Sequence, residues 1–114
     1  MPRFRATVPV DDYVIDVLMA DLAGHDHHPA AFLVYLYLYR QARRGRWHAV
    51  PASLRSIADG TGLSKSTVQV ALSKLNDRQL IKSHHAHPTA TPSHKVLRHW
   101  RDENHKERRL RSRR

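Results

Sequence analysis

The chain has 114 residues, with 20 Lys and Arg against 10 Asp and Glu, a net charge of +10 with its 10 His neutral, and no Cys. That length makes one small domain, whose core covers only about two thirds of the unfolded surface, so oligomerisation would add stability. Without Cys there is no disulfide framework, thiol catalysis or thiolate-held zinc or iron–sulfur centre, and the basic excess calls for an anionic partner: nucleic acid, an acidic protein or anionic lipid.

The charge is unevenly spread. Residues 1–29 hold two Arg against five Asp and are net −3, whereas 30–60 and 61–97 are each +4 and 98–114 are +5. After Arg3 and Arg5 the apolar stretch is cut by Asp11, Asp12 and Asp16, which argues against a signal peptide. The longest apolar run, Ala30 to Tyr39, falls short of the ~20 residues that span a bilayer. A soluble intracellular protein is expected.

Arg3 to Val8 alternates in character and ends at Pro9, the pattern of an edge strand or extended arm. Asp11 or Asp12 can cap a helix over about 11–23, with Tyr13, Val14, Val17, Leu18 and Leu22 at helical spacing and Gly24 as its stop. Pro29 suits the first turn of a second helix, Ala30 to Arg44. That helix is apolar almost all round: Phe32, Tyr35, Leu36 and Tyr39 line one side, Leu33 and Tyr37 the other. Part of it must therefore meet the first helix or another chain.

Gly45 ends the second helix, and Trp47 to Pro51 is a brief extended segment. Ser53 caps a third helix, Leu54 to Asp59, stopped by Gly60. Gly62-Leu63-Ser64 makes a tight turn, and Ser64 caps a fourth helix to about Arg78. Leu80 to His85 and Lys95 to Trp100 read as two strands around a Pro-containing loop, with Trp47 and Trp100 closing the base of the hairpin and the end of the second helix.

The informative stretch is Ser53 to Ile81. Leu54, Ile57 and Ala58 form the inner face of one short helix, and Leu63, Val68, Leu72 and Leu75 that of the next. A small residue at Ala58 lets the two cross steeply. Gly62-Leu63-Ser64-Lys65-Ser66-Thr67-Val68, followed by Leu72 and Leu75, resembles the winged helix-turn-helix family of bacterial DNA-binding proteins over about residues 29–100. Two features depart from that pattern: Gln79, where the family often has Gly, and a Pro-containing, His-rich wing. The resemblance implies a mainly α fold with a small β-hairpin wing (α+β), preceded by an N-terminal arm and helix over 1–28 and followed by a basic tail over 101–114.

The residues agree with that implication. Ser64, Lys65, Ser66 and Thr67 sit at the positive end of the fourth helix, where amides and hydroxyls suit phosphate. Gln69 and Ser73 project opposite Val68 and Leu72, and Gln pairs with adenine in the major groove. Lys65, Ser66, Gln69 and Ser73 are thus the candidate base contacts; the alternative is the solvated face of an amphipathic helix. Lys74, and Lys82, His84, His85, Lys95 and Arg98 in the wing, complete the candidate DNA-binding set.

Histidines cluster at 25, 27 and 28 and again at 84, 85, 87 and 94. Imidazoles on neighbouring strands can share a metal. Yet no acidic residue lies near the wing cluster and the spacings match no metal motif, so neither metal nor cofactor is expected and the wing histidines are assigned to DNA phosphates or the minor groove. The tail, ending Arg-Ser-Arg-Arg, reads as a phosphate-gripping arm or a solvated terminus. Nothing places a catalytic constellation, and no phosphate-binding glycine loop is present. The expectation is a non-enzymatic, sequence-specific double-stranded DNA-binding transcriptional regulator, acting as a homodimer, without membrane association. A plasmid or phage replication or maintenance factor, and more distantly a protein- or RNA-binding winged helix, remain alternatives.

Overall fold

The structure is a computed structural model, and it describes residues 6–101. Residues 6–10 form no strand; the remainder of the expected arm and the tail beyond Arg101 lie outside the described residues.

The first helix differs from expectation in winding and in both ends. Val14–Leu18 and Ala20–His25 are π-helical, with amides reaching five residues back, as from Asp26 to the Asp21 carbonyl at 2.8 Å. Val14, Leu18 and Leu22 are buried from one face. Asp11 supplies no side-chain cap, because its carboxylate is taken by Trp100 Nε1 and Arg101. Gly24 lies inside the segment, and the left-handed residue that ends it is His27, at φ 53.

Helix α1, Pro29–Arg44, is the centre of the molecule. His28 Nδ1 accepts the Ala31 amide at 3.2 Å and Pro29 occupies the first turn, where no amide is needed. Ala31, Phe32, Val34, Tyr35, Leu38, Tyr39 and Ala42 are all buried. The N-terminal π-helical segment, α2, α3 and β3 pack around it, so most of its two-sided apolarity is met within one chain. Tyr35 donates its hydroxyl to the Leu97 carbonyl at 3.1 Å and burial raises its pKa.

Gly45 follows α1 as expected but stays at φ −89; the left-handed turn falls on Arg46 and Trp47, at φ 55 and 67. The Trp47 amide returns to the Ala42 carbonyl at 2.6 Å, and its ring meets the edge of Tyr39 and the guanidinium of Arg98, 3.5 Å from the ring centre. A strained turn is thereby held by its own side chain.

Strand β1 is Val50–Pro51 and α2 is Leu54–Thr61, capped by Ser53 Oγ on the Ser56 amide at 3.1 Å. Gly60 does not stop α2. It lies in the helix so closely against Tyr37 that a Cβ there would sit 2.2 Å from the ring, and the stop is Gly62 at φ 81. Helix α3 is Lys65–Asp77. Its end wraps back on itself: the Leu80 amide bonds the Leu75 carbonyl at 2.9 Å, with Gln79 at φ 57. Gln79 thus adopts the conformation that glycine would take there.

Strands β2, Ile81–His84, and β3, Ser93–Val96, form the hairpin, and β1 adds to its edge in the order β1-β3-β2, all antiparallel. The second strand begins earlier than expected, and residues 99–101 turn helical instead of extending it. Trp100 accordingly leaves the wing base: it stacks on Tyr13 with 4.6 Å between ring centres and donates to Asp11 at 2.9 Å, tying the two ends of the described chain together.

Candidate nucleic-acid interface

Helix α3 buries Val68, Ala71, Leu72 and Leu75 and leaves Lys65, Ser66, Gln69, Val70 and Ser73 exposed. At ~100° per residue, Ser66, Val70 and Ser73 fall on the stripe turned farthest from the core, with Lys65 and Gln69 on one shoulder. Ser64 fixes the start of the helix, its Oγ accepting the Thr67 amide at 3.2 Å and donating to Thr67 Oγ1 at 2.8 Å. Ser66 Oγ lies 3.2 Å from Ser64 Oγ. The helix N-terminus therefore presents a small hydroxyl cluster at its positive end.

In the hairpin, Lys82 faces Lys95 directly and His84 faces Ser93. Lys82, Lys95 and His84 are exposed on the outward face, opposite the buried Ile81, Val96 and His94. Directly opposed like charges cost stability, so this pair is better suited to an anion than to folding. His85 is exposed at the start of the loop that follows.

Two candidates turn elsewhere. Lys74 is half-buried beside the acidic segment, where its positive charge, with that of Arg78, acts on Asp26. Arg98 lies over Trp47 at the base of the sheet. Lys95 also has a local partner, since its Nζ donates to the Trp47 carbonyl at 2.8 Å.

Three of the five aspartates in the N-terminal segment, Asp11, Asp21 and Asp26, are paired locally. Arg78, at the end of α3, pairs with Asp26 at 3.1 Å and Asp21 at 3.4 Å. The hydrogen bond from His25, then the Arg78 field, holds the Asp26 carboxyl below its usual range, against the opposing effect of burial. Arg101 makes a bidentate pair with Asp11 at 2.7 Å to each oxygen, and with Trp100 it lowers the Asp11 pKa to about 2. The acidic segment is thus pinned to the far end of α3 and to the chain's last described residues.

One wing histidine is not available to phosphate. His94 is 2% exposed and sits between Ser83 Oγ, 2.7 Å from Nδ1, and the Ala52 carbonyl, 3.2 Å from Nε2. Ser83 Oγ also accepts from Asn76 Nδ2 at 3.0 Å, and the Ser83 amide donates to Asn76 Oδ1 at 3.0 Å. The consistent assignment has Ser83 donating to Nδ1 and Nε2–H donating to Ala52, which requires a neutral ring. Burial pushes the His94 pKa down. This chain of bonds runs from α3 through β2 and β3 to the residue after β1, and fixes the wing against the helix.

Two features were missed from sequence: the Asn76–Ser83–His94 connection, which joins residues far apart in the chain, and Val70. The seven-residue spacing from Asn76 to Ser83 carries no periodic signal, but Val70 is visible as an apolar residue at an outward helical position. Among the described residues no group of three or more His, Asp or Glu is placed to hold a metal ion, and no helix is long and apolar enough to cross a membrane.

Compared with known proteins, residues 28–81 match a family model described as a helix-turn-helix domain. That span runs from the α1 cap through α2, the Gly62 turn and α3 to the start of β2. No curated protein and no solved structure matches the chain.

Proposed function

We propose that this chain, whose residues 28–81 match a helix-turn-helix domain model, is a sequence-specific double-stranded DNA-binding protein that regulates transcription. Helix α3 enters the major groove and α2 crosses the backbone, where Arg55 and Ser56 are exposed in its first turn. The Lys82–Lys95 pair with His84 and His85 grips the flanking backbone, and Lys74 and Arg98 contribute long-range field more than contact.

The observation that carries this reading is the outward face of α3, where Lys65, Ser66, Gln69 and Ser73 are exposed on a helix started by the Ser64 hydroxyl cluster; the hairpin adds an outward face with two opposed lysines. A hairpin selected only for folding has no need of the opposed lysines. The N-terminal segment leaves Ile15 and Met19 exposed on it, one turn apart, with Val10 nearby in sequence; this supports a homodimer meeting two half-sites about one helical turn apart. Its place of work is the nucleoid of a prokaryotic-type cytoplasm.

Selection of bound sites from random duplex DNA at two salt concentrations tests the reading. A sharp motif that persists at the higher salt is expected; uniform binding that collapses with salt would reduce the function to backbone attraction. Light scattering at micromolar concentration is expected to give twice the chain mass, and a monomer would remove the dimer.

A further inference from the structure

Val70 has the highest exposure of the large apolar side chains among the described residues, at 57%, and no part in the core. It stands in the outermost stripe of α3, flanked by Ser66 and Ser73, where a polar residue would favour solubility and an alanine would favour the helix. Beside it lies a shallow hollow of about 300 Å³ lined by His28, Ser66, Thr67 and Val70. Neither packing nor helix propensity accounts for a branched apolar side chain at this position.

The major groove offers one apolar group on its floor, the C5-methyl of thymine. A valine pressed against any other base edge desolvates an amino group or carbonyl and gives it no partner. Ser66 and Ser73 hydroxyls donate and accept alike, so they discriminate bases weakly. We infer that Val70 is a specificity-determining residue, selecting thymine at one defined position of the bound site by packing its methyl groups on the thymine methyl. The inference rests on the proposal that α3 reads the major groove, and it names what the centre of that helix reads.

The experiment takes the duplex selected by the full chain and replaces each thymine in turn by deoxyuridine, which lacks only the methyl. Binding is measured by fluorescence anisotropy for the native chain and for Val70→Ala. Because Val70 lies outside the core and alanine favours the helix, the variant keeps or slightly raises the native melting temperature, which is checked first. The native chain is expected to weaken about fourfold at one thymine, the equivalent of one buried methyl at ~0.8 kcal/mol. Val70→Ala is expected to bind the native duplex more weakly and to be indifferent to deoxyuridine at that same position. If the native chain tolerates deoxyuridine everywhere, or Val70→Ala retains the same sensitivity, the contact is overturned while specific binding stands. A chain that binds all duplexes equally overturns both.

Discussion

Replacing His94 by Phe tests how the hairpin is held to α3. The ring is 2% exposed and bridges Ser83 and Ala52. Phe fills a similar volume but leaves the Ala52 carbonyl and one valence of Ser83 Oγ without these partners. At ~0.5–1.5 kcal/mol for each lost hydrogen bond, rising to ~1–3 where a buried group is left unpaired, the loss should be about 2–4 kcal/mol. Ser83 Oγ keeps its bond from Asn76, which places its share at the low end. That is a large part of the ~5–15 kcal/mol that stabilises a typical domain. The pH dependence has a defined sign. Burial lowers the folded-state pKa of His94 below the reference 6.5, so the stability that depends on its neutral ring is fully present above 6.5 and declines as pH falls from there through the folded pKa. Urea unfolding of the native chain and His94→Phe at pH 8 and pH 5.5 provides the assay. The native chain should lose more stability on acidification than the variant, since both share the other nine histidines. Parallel losses, or a difference at pH 8 below about 0.5 kcal/mol, would show that the His94 bridge does not hold the hairpin in place.

Gln79→Gly should raise stability by about 1 kcal/mol, because Gln79 holds φ 57 at the end of α3 where glycine carries no steric penalty; a lower melting temperature would show that the Gln side chain outweighs that strain. The glycines at 24 and 60 should respond oppositely to alanine. Nothing lies within 4 Å of a Cβ at Gly24, so Gly24→Ala should stabilise by about 0.5–1 kcal/mol, whereas Gly60→Ala drives a methyl into the Tyr37 ring and should destabilise by about 1 kcal/mol after its gain in helix propensity; thermal melts of the pair decide it. Asp11→Asn should remove a contribution present above pH 3.8 and lost as pH falls towards about 2. After solvent screening it is worth no more than about 1 kcal/mol, seen as a shallower loss of stability in acid titration followed by circular dichroism.

The helix-turn-helix was legible because its signals are local: Ser53 and Ser64 cap as their positions imply, and Gly62 supplies the left-handed turn. Helix ends were less legible wherever non-glycine residues took the left-handed conformation. His27, Arg46, Trp47 and Gln79 all do so, and each is fixed by tertiary or main-chain contacts that sequence does not display, as Arg98 and Tyr39 fix Trp47. Gly60 was read as a stop, although its lack of a side chain serves close approach to Tyr37, a partner on another helix. The exposed face of α3 followed from helical periodicity alone. The wing did not divide as expected, because a cluster of histidines in the chain becomes exposed His84 and His85 on one side and buried His94 on the other. Charge segregation was visible from composition, but the pairing of Asp21 and Asp26 with Arg78 needed the fold.

In the proposed function, α3 reads bases through its exposed polar shoulder. Lys65 and Gln69 are exposed and outside the core, so Lys65→Ala combined with Gln69→Ala should leave the melting temperature unchanged. Affinity of the double variant for the selected duplex, measured against an unrelated duplex at the same salt, shows whether these side chains read bases. A loss of about 2–4 kcal/mol on the selected duplex, with a much smaller loss on the unrelated one, is the expected result. Undiminished affinity, or equal losses on both duplexes, would contradict it.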